Sequence, residues 1–147
     1  MRSYQSKRTT RGFTLLEVMV VIVILGILAS MVVPNLMGSR DKANLQKAVS
    51  DVSALETALK MYKVDNYAYP TTEQGIQALV KKPDIEPIPK RFPEEGYVSR
   101  LPKDPWGNDY QLLNPGEHGK IDVFSMGPDG EAGTKDDIGN WNLGDYQ

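Results

Sequence analysis

The chain contains no cysteine among its 147 residues. This absence excludes disulfide bonds, thiolate metal sites and cysteine nucleophiles. Histidine occurs once, at position 118, and no acidic residue occurs in the first twelve positions. A small domain without disulfides often needs another stabilising element, and a bound metal ion is the usual candidate. The length accommodates one domain together with an anchoring segment.

Charge is distributed unevenly along the chain. Residues 1–12 carry four basic side chains and no acid, so this leader is +4, whereas the remaining thirteen basic and nineteen acidic side chains give −6. The two values add up to the net charge of −2. Outside the leader the basic residues are scattered among acids, which excludes the basic patch typical of a nucleic-acid-binding protein.

A long segment lacks charge altogether, namely the 22 residues between Glu17 and Arg40. As a helix, positions 18–39 would be about 33 Å long, which is close to the bilayer core of about 30 Å. The basic leader in front of this segment predicts a cytoplasmic N-terminus and an exported remainder. A cleaved secretory signal fits poorly, because the apolar run continues past the small residues Ala29 and Ser30.

A plain membrane anchor is the simpler alternative, but it leaves Glu17 unexplained. An ionised carboxylate at membrane depth costs about 2.5–3.5 kcal/mol on insertion scales, so such a residue needs a partner. Glu17 could instead serve only as an acidic residue that favours the dipole at the start of the helix. The residues around it decide between the two interpretations.

Residues 11–18, Arg-Gly-Phe-Thr-Leu-Leu-Glu-Val, resemble the class III signal of type IV pilins and pseudopilins. The resemblance implies that a prepilin peptidase cleaves between Gly12 and Phe13 and then methylates the new amine of Phe13. In a filament that amine would face Glu17 of the neighbouring subunit, and each charge would offset the desolvation of the other. Pro34 predicts a kink or a soft region, since it removes one main-chain hydrogen bond; the corresponding segment of pilin-like filaments is often unwound.

Beyond Arg40 the apolar residues keep a helical spacing, at Leu45, Ala48, Val49, Val52, Leu55, Leu59 and Tyr62. This period predicts an amphipathic helix whose apolar face packs on the rest of the chain. Asn66 and the nearby Pro70 predict its end. The expected organisation is a cleaved leader at 1–12, a hydrophobic transmembrane and assembly helix at 13–39, an amphipathic continuation at 40–64 and a C-terminal domain at 65–147.

The C-terminal domain begins with a proline-rich stretch that argues against long regular elements. A short helix is predicted at 72–81, with Thr72 as its cap. Two strands are predicted at 109–113 and 121–125, joined by a turn at 114–119. His118 lies on that turn and is predicted to be an exposed polar residue with no catalytic partner nearby.

Three aspartates lie in a glycine-rich stretch near the C-terminus, Asp129, Asp136 and Asp137, with Thr134 between them. Calcium takes 6–8 oxygen ligands in flexible geometry, and it would relieve the repulsion between these carboxylates. The spacing is not that of an EF-hand. The residues alone therefore leave a solvated acidic turn as an open alternative.

Further segments resemble the major pseudopilins of type II secretion, namely residues 67–79, 101–110, 124–130 and 136–141. The lack of cysteine favours this group over type IV pilins, which usually carry a C-terminal disulfide. The resemblance implies a calcium site with side-chain ligands from Asp129, Asp136, Asp137 and Thr134 and a backbone carbonyl from Met126. Glu131 is a weaker candidate for a second carbonyl.

The expected fold is therefore α+β and pilin-like: a long N-terminal helix, membrane-spanning in its first half, packed on a small domain with a short antiparallel sheet and a calcium-binding loop. The resemblance implies a structural core subunit of a pseudopilus, not an enzyme, that helps drive folded exoproteins through the outer membrane. The implied partners are further copies in a helical filament, the prepilin peptidase, minor pseudopilins and the inner-membrane assembly platform.

The implied location is the Gram-negative inner membrane, with the C-terminal domain in the periplasm. Three alternatives remain open from the residues. They are a type IV pilin used for adhesion or motility, a membrane-tethered enzyme that uses the three aspartates, and an anchored calcium sensor.

Overall fold

The computed structural model describes residues 12–146, without the side chains at positions 32–37. The chain divides into two compact units, Met1–Arg40 and Asp41–Gln147. The basic residues of the predicted leader, at positions 1–11, lie outside the described residues, and so does the side chain of Pro34.

The first element is a single α-helix, α1, which spans Leu15–Asn66. Its start is capped by Thr14, whose hydroxyl accepts a hydrogen bond from the Glu17 backbone N–H at 3.3 Å. At the other end Tyr67 adopts a left-handed backbone conformation with φ of 63°, which a helix cannot continue. The helix therefore ends at Asn66, as the sequence predicts.

In the first unit the apolar side chains of α1 are exposed. Phe13 and Leu15 are 83% and 80% exposed, and the apolar residues from Val18 to Met31 are between 49% and 67% exposed. Across residues 12–146, no helix combines the length and the apolar character that a membrane crossing requires.

In the second unit one face of α1 forms part of the hydrophobic core. Val52 and Leu59 are fully buried, and Leu55 and Tyr62 are nearly so. They pack against side chains of the C-terminal domain, chiefly Ile76, Leu79, Tyr110, Leu112, Ile121 and Val123. The predicted amphipathic face is confirmed, and burying each large aliphatic side chain stabilises the unit by about 1.5–3 kcal/mol.

The predicted helix at 72–81 is wrong in length and type. The structure has a 3₁₀ helix at Ile76–Leu79, preceded by Gly75 with φ of 62°. Thr72 is not its cap, because its hydroxyl exchanges hydrogen bonds with the backbone of Asn114 at 2.8 and 3.1 Å. The side chain of Gln74 instead fixes this turn, accepting from the Thr71 N–H and donating to the carbonyls of Ile85 and Pro87.

The C-terminal half forms a three-stranded antiparallel sheet in the order β1-β2-β3. Its strands are β1 at Gln111–Leu113, β2 at Asp122–Ser125 and β3 at Ile138–Gly139. Leu112 pairs with Val123, and Ser125 pairs with Ile138. The first two strands confirm the predicted pair with shorter ends, whereas the sequence did not predict β3. The β2–β3 connection, residues 126–137, contains all the predicted calcium ligands.

Candidate processing junction and acidic loop

The N-terminal junction is open to solvent. Gly12, Phe13, Thr14 and Glu17 line one open hollow at the start of α1. Among the residues that the structure describes, none would come within 4 Å of a Cβ atom added at Gly12. Within residues 12–146 the Glu17 carboxylate has no hydrogen-bond or ion-pair partner, whereas its backbone N–H is bonded to Thr14. The described part of the junction therefore presents an accessible bond at Gly12–Phe13 and an accessible acid one turn later.

The acidic loop at 126–137 is folded by glycines. Gly127, Gly130 and Gly133 have φ values of 65°, 70° and 86°, in the left-handed region that other residues rarely adopt. A Cβ atom at Gly127 would overlap the backbone carbonyl of Asp136. The two ends of the loop are therefore in close contact through a position that only glycine can occupy without strain.

Asp137 is the most constrained acid of the loop. Its Oδ2 accepts a hydrogen bond from the Gly133 backbone N–H at 2.7 Å, and its carbonyl accepts one from the Asn142 side chain at 2.9 Å. Its Oδ1 is buried and has no hydrogen-bond partner in the described part of the chain. Burial, followed by repulsion from the Asp129 carboxylate, raises the pKa of Asp137 above its ordinary value. The loop thus holds a buried carboxylate oxygen whose charge a cation would stabilise.

The other predicted ligands lie around the same turn. Asp129 and Asp136 are exposed, and Asp129 Oδ1 accepts from the Glu131 backbone N–H at 3.0 Å. The Thr134 hydroxyl donates to the Glu131 carbonyl at 3.3 Å and accepts from the Asp136 N–H at 3.4 Å. Glu131 and Thr134 therefore contribute to the internal hydrogen bonding of the turn.

The oxygen-bearing groups of these residues are chemically suited to bind a hard cation. Within residues 12–146, no group of three or more histidine, aspartate or glutamate side chains is gathered closely enough to hold a metal ion. Calcium also accepts backbone carbonyls and waters, so it does not need three carboxylates already in place. The orphaned Asp137 Oδ1 and the repulsion from Asp129 are the two observations that favour such an ion.

The structure gives His118 partners that sequence reasoning missed. His118 is exposed, as predicted, but its ring stacks on Trp141 with 3.9 Å between centroids. Its Nδ1 lies 3.0 Å from Asp122 Oδ2, and that oxygen also accepts from the backbone N–H groups of Glu117 and His118. Asp122 stands only four positions after His118 and is a structural partner that the sequence analysis did not identify.

The electrostatics of Asp122 follow from this arrangement. Burial alone would raise its pKa, but the hydrogen bonds from His118 and Glu117 outweigh burial and lower the pKa below the ordinary value. The carboxylate thereby fixes the turn between β1 and β2. A cavity of about 150 Å³ separates this turn from the acidic loop, and both Asp122 and Asp137 line it.

Sequence comparisons match two family models to this chain. The family described as Type II secretion system (T2SS), protein G matches residues 35–141. The family described as Prokaryotic N-terminal methylation motif matches residues 7–33. The second match spans the Gly12–Phe13 junction, and the first contains the acidic loop.

Three relatives share most of the chain, and all are named Type II secretion system core protein G. The Aeromonas hydrophila protein is 70% identical over 141 residues, 96% of this chain and 99% of that protein. The Pectobacterium carotovorum protein is 68% identical over 139 residues, 95% and 89% of the two chains. The Pseudomonas aeruginosa protein is 53% identical over 139 residues, 92% and 98%.

A solved structure is also similar to this chain. It is the crystal structure of the major pseudopilin from the type 2 secretion system of enterohaemorrhagic Escherichia coli. The two chains are 61% identical, the TM-score is 0.69, and the match covers 76% of this chain and 97% of that one.

Proposed function

This chain belongs to the type II secretion system protein G family and is a structural core subunit of the secretion pseudopilus, and from that premise we propose how it matures, assembles and binds metal. The family is one of structural subunits. A type IV pilin for adhesion or motility is not favoured, because the relatives that match along more than nine-tenths of the chain carry the secretion name.

Maturation begins with cleavage between Gly12 and Phe13 by the prepilin peptidase, which then methylates the amine of Phe13. The N-terminal methylation motif at residues 7–33 supports this step. The exposure of Phe13, at 83%, supports it as well, since a protease must reach the bond that it cleaves.

Assembly follows from the new amine. We propose that the ammonium group of Phe13 on one subunit pairs with the Glu17 carboxylate of its neighbour, and that the exposed apolar residues of 13–31 pack against those of other copies. Pairing offsets the desolvation of both charges and sets the register between subunits. Such contacts are heterologous, and we propose that their rotation does not close into a ring, which generates an open helical filament.

The proposed setting is the Gram-negative inner membrane and the periplasm. Before assembly, residues 13–39 cross the membrane once, with the +4 leader in the cytoplasm, as the positive-inside rule requires. The assembled pseudopilus lies in the periplasm, where it works with minor pseudopilins and the inner-membrane assembly platform to move folded exoproteins outward. The uncharged stretch at 18–39 supports this placement.

We further propose that the acidic loop binds calcium. Asp129, Asp136 and Asp137 would supply carboxylate oxygens, and Thr134 and the Met126 carbonyl would complete the set. The support is the buried, unpartnered Oδ1 of Asp137 and the repulsion that raises its pKa. Calcium bound only by the folded loop stabilises the unit by mass action, in place of a disulfide.

The intact mass of the chain extracted from membranes tests maturation. The expected mass lacks residues 1–12 and contains one added methyl group. Gly12→Ala should stay uncleaved, although no described residue lies within 4 Å of its added Cβ. Gly26→Ala, which is equally open, is the control and should be cleaved normally. An uncleaved wild-type chain would refute the proposal.

A Glu17→Gln variant tests assembly without changing side-chain size. It should be cleaved and methylated but form few filaments by electron microscopy of the isolated periplasmic fraction. Glu73→Gln, an exposed acid in the C-terminal domain, is the control and should assemble normally. Normal filaments from Glu17→Gln would remove the charge pairing as the reason for assembly.

Thermal unfolding in calcium and in a chelator tests the metal site. The wild-type chain should unfold at a higher temperature in calcium, and Asp129→Ala should reduce that difference. If the wild-type chain unfolds at the same temperature in calcium and in chelator, the calcium site is excluded.

A further inference from the structure

A buried hydrogen-bond relay leads from the 104–109 loop to the first peptide of the acidic loop. Asp104 and Ser125 are 4% and 0% exposed. The Ser125 hydroxyl donates to Asp104 Oδ2 at 2.7 Å. The other carboxylate oxygen, Oδ1, accepts from the backbone N–H groups of Trp106 and Asn108 at 3.0 and 2.7 Å. The carboxylate is therefore fixed from both sides.

The same hydroxyl makes a second bond, which reaches the loop. Ser125 Oγ accepts a hydrogen bond from the Gly127 backbone N–H at 3.1 Å. An ionised carboxylate only accepts hydrogen bonds, so Asp104 forces the hydroxyl to donate to it. The oxygen lone pair is then free to face Gly127, and the polarity of the relay is set by the charge on Asp104.

The peptide that this relay holds is the one between Met126 and Gly127. The N–H of Gly127 and the carbonyl of Met126 belong to one planar trans peptide unit, so they point in opposite directions. Fixing the N–H towards Ser125 therefore fixes the direction of the Met126 carbonyl, away from Ser125. Ser125 itself is held in β2 by its pairing with Ile138.

We propose that Asp104 and Ser125 are positioning residues for calcium binding, because their hydrogen-bond relay orients the Met126 carbonyl as a ligand. This inference rests on the proposed calcium site. Neither residue touches the ion. They act through the Met126–Gly127 peptide, whose glycine also contacts the Asp136 backbone at the other end of the loop.

Titration calorimetry of the purified full chain, stripped with a chelator and titrated with calcium chloride, tests the inference. Ser125→Ala removes the acceptor for Gly127. Asp104→Asn keeps the size, but its amide can donate to the hydroxyl and so disturb the polarity of the relay. Each variant should raise the Kd for calcium by roughly tenfold or more, as loss of a group that orients a metal ligand does. The Kd of the double variant should be no higher than the higher of the two single-variant Kd values, because both residues act through the same hydrogen-bond relay.

Tyr97→Phe is the control for a general loss of stability. The Tyr97 hydroxyl donates to Asp65 Oδ2 at 3.0 Å, so it too is a hydroxyl–carboxylate pair, but its partners belong to the end of α1 and the 91–97 region. This variant should lower the urea midpoint in chelator and leave the Kd for calcium unchanged. A raised Kd in Tyr97→Phe would mean that calcium affinity follows stability alone, and would overturn the inference.

The outcomes separate the inference from the calcium proposal. A wild-type chain with no calcium heat overturns both. A wild-type chain that binds calcium, with an unchanged Kd in Ser125→Ala, overturns the relay alone, and additive losses in the double variant do the same. If Ser125→Ala does not fold, the isosteric Asp104→Asn carries the test, and an unchanged Kd in that variant overturns the inference.

Discussion

Gly127 offers a sharp test of how the acidic loop is held together. The residue has φ of 65°, and an added Cβ atom would overlap the carbonyl group of Asp136. Gly133 lies in the same loop with φ of 86°, but nothing lies within 4 Å of an added Cβ atom there. Alanine at either position must therefore adopt a left-handed backbone conformation, but only alanine at position 127 also overlaps the Asp136 carbonyl group.

The magnitudes follow from this difference. A left-handed conformation costs an alanine roughly 1–2 kcal/mol relative to its ordinary conformations, so Gly133→Ala should lower the free energy of unfolding by about that amount. Gly127→Ala carries the same cost plus overpacking against the Asp136 backbone, which adds about 1–3 kcal/mol. Its expected total is therefore about 2–5 kcal/mol.

Urea unfolding followed by tryptophan fluorescence measures both variants, since Trp141 and Trp106 lie in the same unit as the loop. Each experiment is run in calcium and in chelator. Gly127→Ala should also lose most of the stabilisation by calcium, because the two ends of the loop can no longer approach each other. Gly133→Ala should keep most of it.

Equal destabilisation by the two substitutions would refute this reasoning. It would mean that the contact between Gly127 and Asp136 contributes nothing to stability, and that only backbone conformation matters. A calcium response retained in full by Gly127→Ala would separate the loop contact from metal binding.

Three further predictions concern the second unit. The hydrogen bonds to Asp122 lower the pKa of its carboxyl group in the folded state. The Asp122 carboxylate therefore stabilises the folded chain at pH values above its unfolded pKa of about 3.9. This stabilisation is lost as the pH falls through the lower pKa of the folded state. Asp122→Asn should therefore reduce the urea midpoint at pH 7 and flatten its fall in acid; a midpoint equal to wild type at pH 7 would contradict this. Trp141→Ala removes the ring stacked on His118 and should lower the unfolding free energy by about 2–3 kcal/mol, below the loss for a fully buried ring. Leu59→Ala should lower it by about 2–5 kcal/mol, whereas Met61→Ala, 59% exposed in the wild type, should have little effect; similar losses at both positions would contradict the assigned buried face.

The parts of the fold that the sequence predicted correctly are governed by local rules. The period of apolar residues identified the buried face of α1, because residues three and four apart share one side of a helix. Asn66 was recognised as its end from the residues beside it. The strands β1 and β2 were recognised with ends one or two residues too long, which is the usual uncertainty at a terminus.

The errors have a common physical cause. The predicted helix at 72–81 is replaced by a turn and the short 3₁₀ helix Ile76–Leu79, because the Gln74 side chain bonds to the distant carbonyls of Ile85 and Pro87. The strand β3 has only two residues, Ile138–Gly139, too few for any pattern to indicate. Each was decided by partners that lie elsewhere in the chain.

The sequence by itself determined the features that depend on neighbours in the chain: the glycine before Phe13, the acid one turn into the helix, and the apolar face that α1 buries. The tertiary structure decided which polar groups meet. The antiparallel pairing of β2 and β3 brings the two ends of the acidic loop together, and the 104–109 loop places Asp104 against Ser125, 21 positions away. Helical periodicity depends only on the order of neighbouring residues, whereas the direction of a single backbone carbonyl depends on hydrogen bonds that only the folded chain can form.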